Sequence, residues 1–313
     1  MAQPHPAPTC AYLTHADCRL HNMGDGHPES PARLEAVERG LREARLLERL
    51  RRVEAPAATR EQLLRVHDTA YLDRLETSLP REGIHRLDPD TALSPGSLLA
   101  AQRAAGAVVG AVDRVMAGEV RSAFCAVRPP GHHARPGRAM GFCLYGNVAV
   151  GVAHALAVHR VKRVAVVDFD VHHGNGTEEM FRAEPRVLLV DSFQHPYYPH
   201  AGSQPRPGFV PIALPAGTAG PTYREAIKRS GLPALKAFRP ELVFFSAGFD
   251  AHRDDPLAQL QLDESDYAWL THEVRDIAEA YGGGRMVSAL EGGYRLDALG
   301  RSVAAHVAAL ADC

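Results

Sequence analysis

Long apolar runs are missing from this 313-residue sequence. No uninterrupted apolar stretch approaches the ~18 residues that would predict a membrane span. The first ten residues, MAQPHPAPTC, lack the charged and then apolar segments of a signal peptide. We therefore expect a cytoplasmic protein that has no membrane partner.

Cysteine is scarce, and the few cysteines form no pattern. They are five in number, an odd set with wide spacing and no CxxC pair: Cys10, Cys18, Cys125, Cys143 and Cys313. Such spacing predicts neither a disulfide framework nor a zinc site built from thiolates.

A dominant charge of one sign is also lacking, since the formal net charge is −2. A dedicated nucleic-acid-binding protein needs a strongly basic face, so we do not expect a nucleic-acid partner. Hydrophobic residues make up 45% and charged residues 23%, which is ordinary for a globular protein. A chain of this length can bury a full core without disulfides or structural metals.

Short β-rich runs alternate with helical patterns along the chain, and no internal repeat or low-complexity linker divides it. The runs that predict strands are Phe124–Val127, Val164–Asp170, Val187–Phe193, Leu242–Asp250 and Met286–Glu291. The patterns that predict helices are Ser30–Leu50, Ser94–Ala117, Asn147–His159, Tyr223–Phe238, Glu264–Tyr281 and Leu296–Ala311. We therefore predict one domain over residues 1–313, with a three-layer α/β/α architecture.

The predicted strands are almost continuously apolar, as in VAVVDFD, VLLVDSF and LVFFSAGFD. That composition favours strands covered by helices on both faces of a mostly parallel sheet. In such folds ligands bind beyond the carboxyl ends of the strands. The polar residues that follow each strand are therefore the ones to examine.

The segment 168–176, DFDVHHGNG, contains the most candidate metal-binding and catalytic side chains. If the backbone stays extended, Asp168, Asp170 and His172 point to one face, because side chains alternate along a strand. A second predicted strand, LVFFSAGFD, ends in Asp250, which can meet Asp170 and His172 because strands of one parallel sheet end at the same edge. These three suit Zn²⁺ and leave a position for water, although Fe²⁺, Co²⁺ or Mn²⁺ would also accept such ligands.

Two further segments follow predicted strands. RPPGHH places His132 and His133 after a Pro-Gly turn, where they are candidate acid and base beside a metal. EGGY places Tyr294 after Gly292 and Gly293, where its hydroxyl could donate to a developing oxyanion. By contrast, we interpret His154 and His159 as packing or surface residues of a mostly apolar helix.

These segments, in this order, resemble the histone deacetylase-like branch of the arginase/deacetylase superfamily. The resemblance extends to GHPESPARL (26–34), GFCLYGNVAV (141–150) and SAGFDAHRDDPL (246–257). It therefore spans nearly the whole chain, and Asn175 with GHPESPARL and EGGY is similar to the class II-type bacterial members. The resemblance implies the arginase/deacetylase fold and a zinc-dependent hydrolysis of acyl-lysine amides in a protein or peptide. A homo-oligomer would be compatible with it.

The resemblance also implies residue roles. Asp170, His172 and Asp250 would hold one zinc ion; His133 would be the general base, with His132 as its electrostatic or acid partner. Asn175 would orient His133, Asp168 would hydrogen-bond His132 and help to bind a structural potassium ion, and Tyr294 would polarise the acyl carbonyl. The substrate tunnel would be formed by Asp90, Gly141, Phe142, Tyr198, Leu257, Gly292 and Gly293.

Two positions depart from the family pattern. Asp191, followed by Ser192, stands where relatives usually place the serine of the potassium site, so either residue could face the ion. Tyr198 replaces a usual phenylalanine, and its hydroxyl would favour more polar acyl groups.

Three other functions stay open from the sequence. An acetylpolyamine amidohydrolase would run the same chemistry on an acetylated small amine, but Leu257 occupies the position where an acidic gatekeeper would select such cations. A two-manganese ureohydrolase would need further paired aspartates. A protein that only binds acylated ligands would not need the acid and base residues.

Overall fold

The computed structural model describes residues 10–312. Its main sheet has eight strands in the order β2-β1-β5-β10-β9-β6-β7-β8, and every neighbouring pair is parallel. In chain order the strands are β1 Cys10–Thr14, β2 Arg51–Glu54, β3 His85–Arg86, β4 Ala92–Leu93, β5 Ser122–Cys125, β6 Val164–Asp168, β7 Val187–Gln194, β8 Phe209–Leu214, β9 Leu242–Ala247 and β10 Met286–Leu290. Strands β3 and β4 form a separate antiparallel pair.

Helices cover both faces of the main sheet. They are α1 Ala32–Glu43, α2 Arg60–Leu63, α3 Thr69–Thr77, α4 Ser97–Met116, α5 Asn147–Ala157, α6 Asn175–Met180, α7 Gly220–Ala226, α8 Leu232–Phe238, α9 Glu264–Gly282 and α10 Leu296–Ala311. Helices α4 and α5 pack together on one face, and α1, α9 and α10 pack together on the other. The predicted three-layer α/β/α fold is therefore confirmed.

The central strands form because their side chains are apolar on both faces. Every residue of β6, β9 and β10 is buried, which is the pattern expected of parallel strands covered on both sides. Helix α9 shows how the covering helices are bounded. Asp263 caps its first turn in a capping box with Asp266, and Gly283 ends it with φ of 63°.

Several element boundaries differ from the sequence-based ones. Strand β6 ends at Asp168 and β9 at Ala247, so the polar residues beyond them lie in turns rather than in extended backbone. The helix predicted over Ser30–Leu50 ends at Glu43, and Arg45 follows it in the left-handed region with φ of 55°. The helix predicted over Tyr223–Phe238 is interrupted by a π-helical turn.

The strand order brings the chemically important segments together. Strands β5, β10, β9 and β6 are consecutive neighbours, and residues 128–134, 291–294, 248–250 and 169–176 follow their carboxyl ends. The site therefore lies at one edge of the sheet, as parallel α/β architecture predicts. Within residues 10–312, no helix combines the length and apolar character that crossing a membrane requires.

Candidate active site

The segment after β6 turns sharply instead of staying extended. The carboxylate of Asp168 accepts a hydrogen bond from the N–H of Asp170 at 3.1 Å, and Asp170 accepts one from the N–H of His172 at 2.9 Å. The strand predicted over Val164–Asp170 therefore ends two residues earlier, and the backbone is not extended as far as residue 172. Short side-chain acceptors two residues before a free N–H stabilise such turns. The turn still brings Asp170 and His172 to the same place.

Asp170, His172 and Asp250 converge at the edge of the sheet. His172 Nδ1 lies 3.0 Å from Asp170 Oδ1 and 3.2 Å from Asp250 Oδ2, and one potential ligand atom from each residue lies within 4.8 Å of the others. Both carboxylates are about 1% exposed. Asp250 Oδ2 has no hydrogen-bond partner among residues 10–312. Two buried carboxylates with an orphaned oxygen beside an imidazole fit a bound cation such as Zn²⁺.

Neighbouring main chain fixes the orientation of these carboxylates. The N–H of Gly292 donates to Asp170 Oδ2 at 2.8 Å, and the N–H of Val171 donates to Asp250 Oδ1 at 2.9 Å. Glycine is needed for this close approach. A Cβ atom at Gly292 would lie 2.1 Å from Asp250 Oδ2, and one at Gly248 would lie 2.0 Å from Asp170 Oδ2.

His132 lies between two carboxylates. Its Nδ1 is 3.0 Å from Asp168 Oδ2, and its Nε2 is 3.7 Å from Asp170 Oδ1. Burial alone would lower the pKa of His132, but the charges of Asp170 and Asp168 raise it well above the usual range. The carboxylate of Glu291 accepts hydrogen bonds from the N–H groups of Gly131 and His132 at 2.6 and 3.1 Å, which anchors this loop.

His133 has a different environment although it is the next residue. Its Nδ1 lies 2.8 Å from the amide oxygen of Asn175 at the start of α6. Burial lowers the pKa of His133 well below its usual range, and the positive charges of His132 and His172 lower it further. Since an amide oxygen can only accept, the Nδ1 atom of His133 carries the proton and Nε2 is left as an acceptor.

Tyr294 is positioned by a residue that sequence reasoning missed, Asp255. The carboxylate of Asp255 accepts hydrogen bonds from the N–H groups of Tyr294 at 2.7 Å, Arg295 at 3.2 Å and Leu257 at 3.0 Å. Burial, together with the charge of Asp250, raises the pKa of Asp255 to about 7. The signal was present in the segment DDPL, but the partners of Asp255 are main-chain N–H donors, which no side-chain pattern reveals.

A buried network of ion pairs also holds the loop of residues 291–294. Arg33 donates from Nε to the carbonyl of Gly293 at 2.8 Å and from Nη2 to that of Glu291, and its guanidinium lies 5.0 Å from the centre of the Tyr294 ring. Glu29 pairs with Arg33 at 3.3 Å and with Arg128 at 2.7 Å. The segment GHPESPARL therefore supports the site, a function that sequence reasoning did not assign.

A cavity of about 110 Å³ leads to the converging residues. It is lined by Asp90, Pro130, His132, His133, Gly141, Phe142, His172, Tyr198, Leu257, Gly292 and Tyr294. The ring of Tyr198 lies edge-on to His133, with centres 5.1 Å apart, and the ring of Phe142 lies edge-on to Tyr294 at 5.9 Å. Aromatic rings thus form walls close to the histidines and the tyrosine.

Asp90 lies at this cavity, where its carboxylate accepts a hydrogen bond from the N–H of Gly141 at 3.2 Å. The structure thus brings six of the seven predicted tunnel residues to this cavity: Asp90, Gly141, Phe142, Tyr198, Leu257 and Gly292. Gly293 is not among the lining residues.

Burial raises the pKa of Tyr294 well above its usual range, even though Arg33 opposes that shift. The Tyr294 hydroxyl therefore keeps its proton at neutral pH.

Asp191 and Ser192 point to opposite faces of β7, as consecutive strand residues do. The carboxylate of Asp191 lies 2.6 Å from His173 Nδ1 and accepts a hydrogen bond from the N–H of Gly174 at 3.0 Å. Ser192 Oγ instead donates to the main-chain carbonyl of Asp168 at 3.3 Å. Both residues therefore contact the main chain of segment 168–176, Ser192 at Asp168 and Asp191 at Gly174.

Known proteins share this fold and these segments. The family model described as histone deacetylase domain matches residues 27–310. The chain is 41% identical over 277 residues to the histone deacetylase-like amidohydrolase of Pseudomonas aeruginosa, covering 86% of this chain and 73% of that protein. It is 35% identical to a probable deacetylase of Archaeoglobus fulgidus, covering 90% and 80%.

Among solved structures, the crystal structure of the HDA15 HD domain superposes with a TM-score of 0.92 at 33% sequence identity. That superposition covers 98% of this chain and 89% of the other. The similarity therefore extends over the whole sheet and its covering helices.

Proposed function

The chain belongs to the histone deacetylase family, and from that premise we propose that it is a zinc-dependent amidohydrolase that removes acyl groups from lysine side chains. The observation that carries this proposal is that one aromatic-walled cavity is lined by two differently tuned histidines, by Tyr294 and by His172, a member of the metal-competent cluster. Each member matches a need of amide hydrolysis by water.

Asp170, His172 and Asp250 would hold the ion. Zinc bound by three protein ligands activates water and polarises a carbonyl group. The buried carboxylates and the orphaned Asp250 Oδ2 support this assignment, since a cation would compensate charge that residues 10–312 leave without a hydrogen-bond partner.

The two histidines would divide the proton transfers. His133, whose pKa is held well below its usual range, accepts the proton of the attacking water at Nε2. His132, whose pKa the neighbouring aspartates raise, carries a proton that it can donate to the departing amine. The products are a free amine and a carboxylate. Proton transfer by a positioned group typically contributes about 10²–10⁴-fold to the rate.

Tyr294 would stabilise the charge that develops on the acyl oxygen. Its hydroxyl keeps its proton because burial raises its pKa, so it remains a hydrogen-bond donor. The hydrogen bonds of Asp255 to the main chain at Tyr294 and Arg295 hold this donor in place before substrate arrives. Donors that need no reorganisation during the reaction are the effective ones.

The cavity walls favour an acyl-lysine over a polyamine. Phe142 and Tyr198 present apolar rings to the methylene groups of a lysine side chain. Leu257, half-buried at the cavity, offers no negative charge to select a polyamine. Asp90 would accept a hydrogen bond from the substrate main chain. A structural potassium ion beside Asp168 and Ser192 completes the proposal.

The test is a turnover panel on the full chain. Acetyl-lysine peptides, peptides with longer or more polar acyl groups, and acetylputrescine are compared by kcat/KM, with and without a chelator. We expect peptide turnover that a chelator abolishes and Zn²⁺ restores. Tight binding of acylated peptides to zinc-loaded protein without turnover would contradict the proposed activity.

A single variant addresses the choice of substrate. Leu257→Glu should raise the ratio of kcat/KM for acetylputrescine to that for the peptide by roughly 5-fold, since a partly exposed ion pair contributes up to about 1 kcal/mol. Leu257→Met keeps an apolar side chain and is the matched control. If the wild-type protein already prefers acetylputrescine, the acyl-lysine assignment is wrong.

A further inference from the structure

We propose that Asp113, His154 and His159 form a second transition-metal site, on the helical face made by α4 and α5. The residues that line the substrate cavity are different ones. The proposal therefore does not depend on the proposed enzymatic activity.

The three side chains converge on one point. The Nε2 atoms of His154 and His159 each lie 2.7 Å from the same oxygen, Oδ1 of Asp113. One potential ligand atom from each of the three lies within 4.8 Å of the others, and the two imidazole rings are 5.5 Å apart. Two imidazole nitrogens and a carboxylate oxygen are ligands that Zn²⁺ accepts readily.

Two of the three residues lie on helices that pack against each other, and one side of the site is exposed to solvent. Asp113 lies near the end of α4 and His154 lies in α5, and these two helices pack against each other. The side chain of His154 is 6% exposed, that of His159 is 23% and that of Asp113 is 49%. The imidazoles are therefore held in place while solvent can supply the one remaining ligand of a four-coordinate ion.

The charge of the cluster also suits a cation. Burial raises the pKa of Asp113, but the hydrogen bonds from His159 and His154 outweigh that effect and lower it. Asp113 is therefore ionised at neutral pH and its two nitrogen partners can exchange their protons for a metal ion.

The positive charge of Arg65 would oppose a bound cation. Its contact with His154 therefore determines the metal affinity of the site. Its Nη1 lies 2.7 Å from His154 Nδ1, and a guanidinium can only donate. The Nδ1 atom therefore accepts and the proton of His154 sits on Nε2, facing Asp113. Metal binding at Nε2 requires that proton to move to Nδ1, which displaces Arg65. Glu61, 3.3 Å from Arg65 Nη2, is the partner toward which Arg65 can turn.

This arrangement makes Arg65→Gln an informative variant. A glutamine side chain can place an amide oxygen where His154 Nδ1–H donates, as the outer partners of metal-bound histidines usually do. Changes in such outer partners typically alter metal affinity by about 10–100-fold. We therefore expect Arg65→Gln to bind the second ion about 10–100-fold more tightly than the wild type.

The experiment counts Zn²⁺ ions on the metal-stripped full chain by calorimetry and by competition with a chromophoric chelator. The wild type should bind two ions per chain, His159→Asn and Asp113→Asn one, and Asp250→Asn one. His272→Asn, which alters an exposed histidine on α9, is the matched control and should bind two. Circular dichroism of each metal-free variant checks that it is folded.

The outcomes separate this proposal from the proposed active site. An ion that His159→Asn and Asp113→Asn remove and Asp250→Asn retains supports the second site, even if the active-site ion were absent. Equal numbers of ions on the wild type and on folded His159→Asn would overturn it, because the cluster would then be a hydrogen-bonded surface group without metal. A weaker second ion in Arg65→Gln would overturn the role given to Arg65.

Discussion

The two clusters that pair aspartate with histidine use the same ligand types in opposite surroundings. At the sheet edge, Asp170 and Asp250 are about 1% exposed, whereas Asp113 on α4 is 49% exposed. The buried carboxylates are oriented by main-chain N–H groups of Gly292 and Val171. The surface cluster instead faces a guanidinium that competes for one imidazole. The two clusters therefore contain the same ligand types and differ in the groups that surround them.

Burial explains why chemistry is expected at only one of the two clusters. Charged groups taken out of water need compensating partners, and unbalanced ones acquire shifted pKa values. At the sheet edge His132 and His133, adjacent in sequence, have pKa values shifted in opposite directions. Such divergence supplies an acid and a base in one pocket.

The largest effect should come from removing a ligand at the buried cluster. Asp250→Asn should lower kcat/KM on an acetyl-lysine peptide by about 10³-fold or more, because the proposed ion and the carboxylate beside His172 would be lost together. Asp113→Asn makes the same chemical change at the surface cluster and should leave kcat/KM nearly unchanged. Similar losses in both variants would show that the two clusters do not differ in the way described.

Tyr294→Phe should have the next largest effect. Loss of the hydroxyl should lower kcat by about 10²–10³-fold, the range found when one oxyanion donor is removed. Zinc content, measured on the same preparation, should stay unchanged, because the hydroxyl is not among the proposed ligands. A variant that keeps nearly full kcat with its zinc would show that Tyr294 has no part in catalysis.

Asp255→Ala should act through Tyr294 rather than on substrate directly. Without the carboxylate the loop loses its hydrogen bonds at Tyr294, Arg295 and Leu257, and kcat should fall by about 10–100-fold, as small misplacements of catalytic groups do. Asp255→Asn, which keeps one accepting oxygen, should recover part of the loss. The control is Asp254→Asn at the exposed neighbouring residue, and equal effects at both positions would contradict the positioning role.

Buried histidines should also differ from exposed ones in the pH dependence of stability. Burial lowers the pKa of His67 to about 4, and its Nε2 accepts a hydrogen bond from the N–H of Gly146 at 3.0 Å. Because the unfolded state takes up this proton first, stability contributed by His67 is full above pH ~6.5 and is lost as the pH falls toward 4. The loss from this residue is about 3 kcal/mol at most.

Urea unfolding of the metal-free chain at pH 6.5 and pH 4.5 measures this difference. His67→Gln should lose less stability than the wild type on acidification, since glutamine binds no proton. His272→Gln, at an exposed position on α9, should behave as the wild type does. If His67→Gln and the wild type lose the same stability, His67 does not become protonated on unfolding.

The smallest effect should be that of His159→Asn on catalysis. We expect kcat/KM within about 2-fold of the wild type, because substitutions at surface positions remote from the reacting groups seldom change more. The measurement uses protein at saturating Zn²⁺. A large loss of activity would connect the surface cluster to the active site and remove the distinction between them.

The sequence was sufficient to predict the strands that carry the site, because β6, β9 and β10 are apolar on both faces and end in polar residues. It was insufficient for the elements that lack this signal. Strand β2, RRVE, is exposed, and strand β8 contains Pro211 near the edge of the sheet, where proline is tolerated. Strand β2 was missed because it is polar, and β8 because Pro211 interrupts its apolar run and argues against a strand.

The residues of the candidate site also separate into those that the sequence could predict and those that it could not. Residues with distinctive side chains after a strand, such as Asp170, His133 and Tyr294, could be named from the sequence. The groups that position them could not, because Asp255 and Arg33 act on main-chain atoms. Likewise Asp113 and His159 are far apart in sequence, and their convergence depends on how two helices pack.

Gly248 and Gly292 set a limit on how this enzyme can vary. Each occupies a position where even one added methyl group would overlap a carboxylate oxygen of Asp170 or Asp250. Alanine, usually the mildest replacement, would therefore displace a proposed metal ligand without altering its carboxylate group. A saturation library should show both positions as intolerant as Asp170 and Asp250 themselves, because the space beside these carboxylates admits no added methyl group.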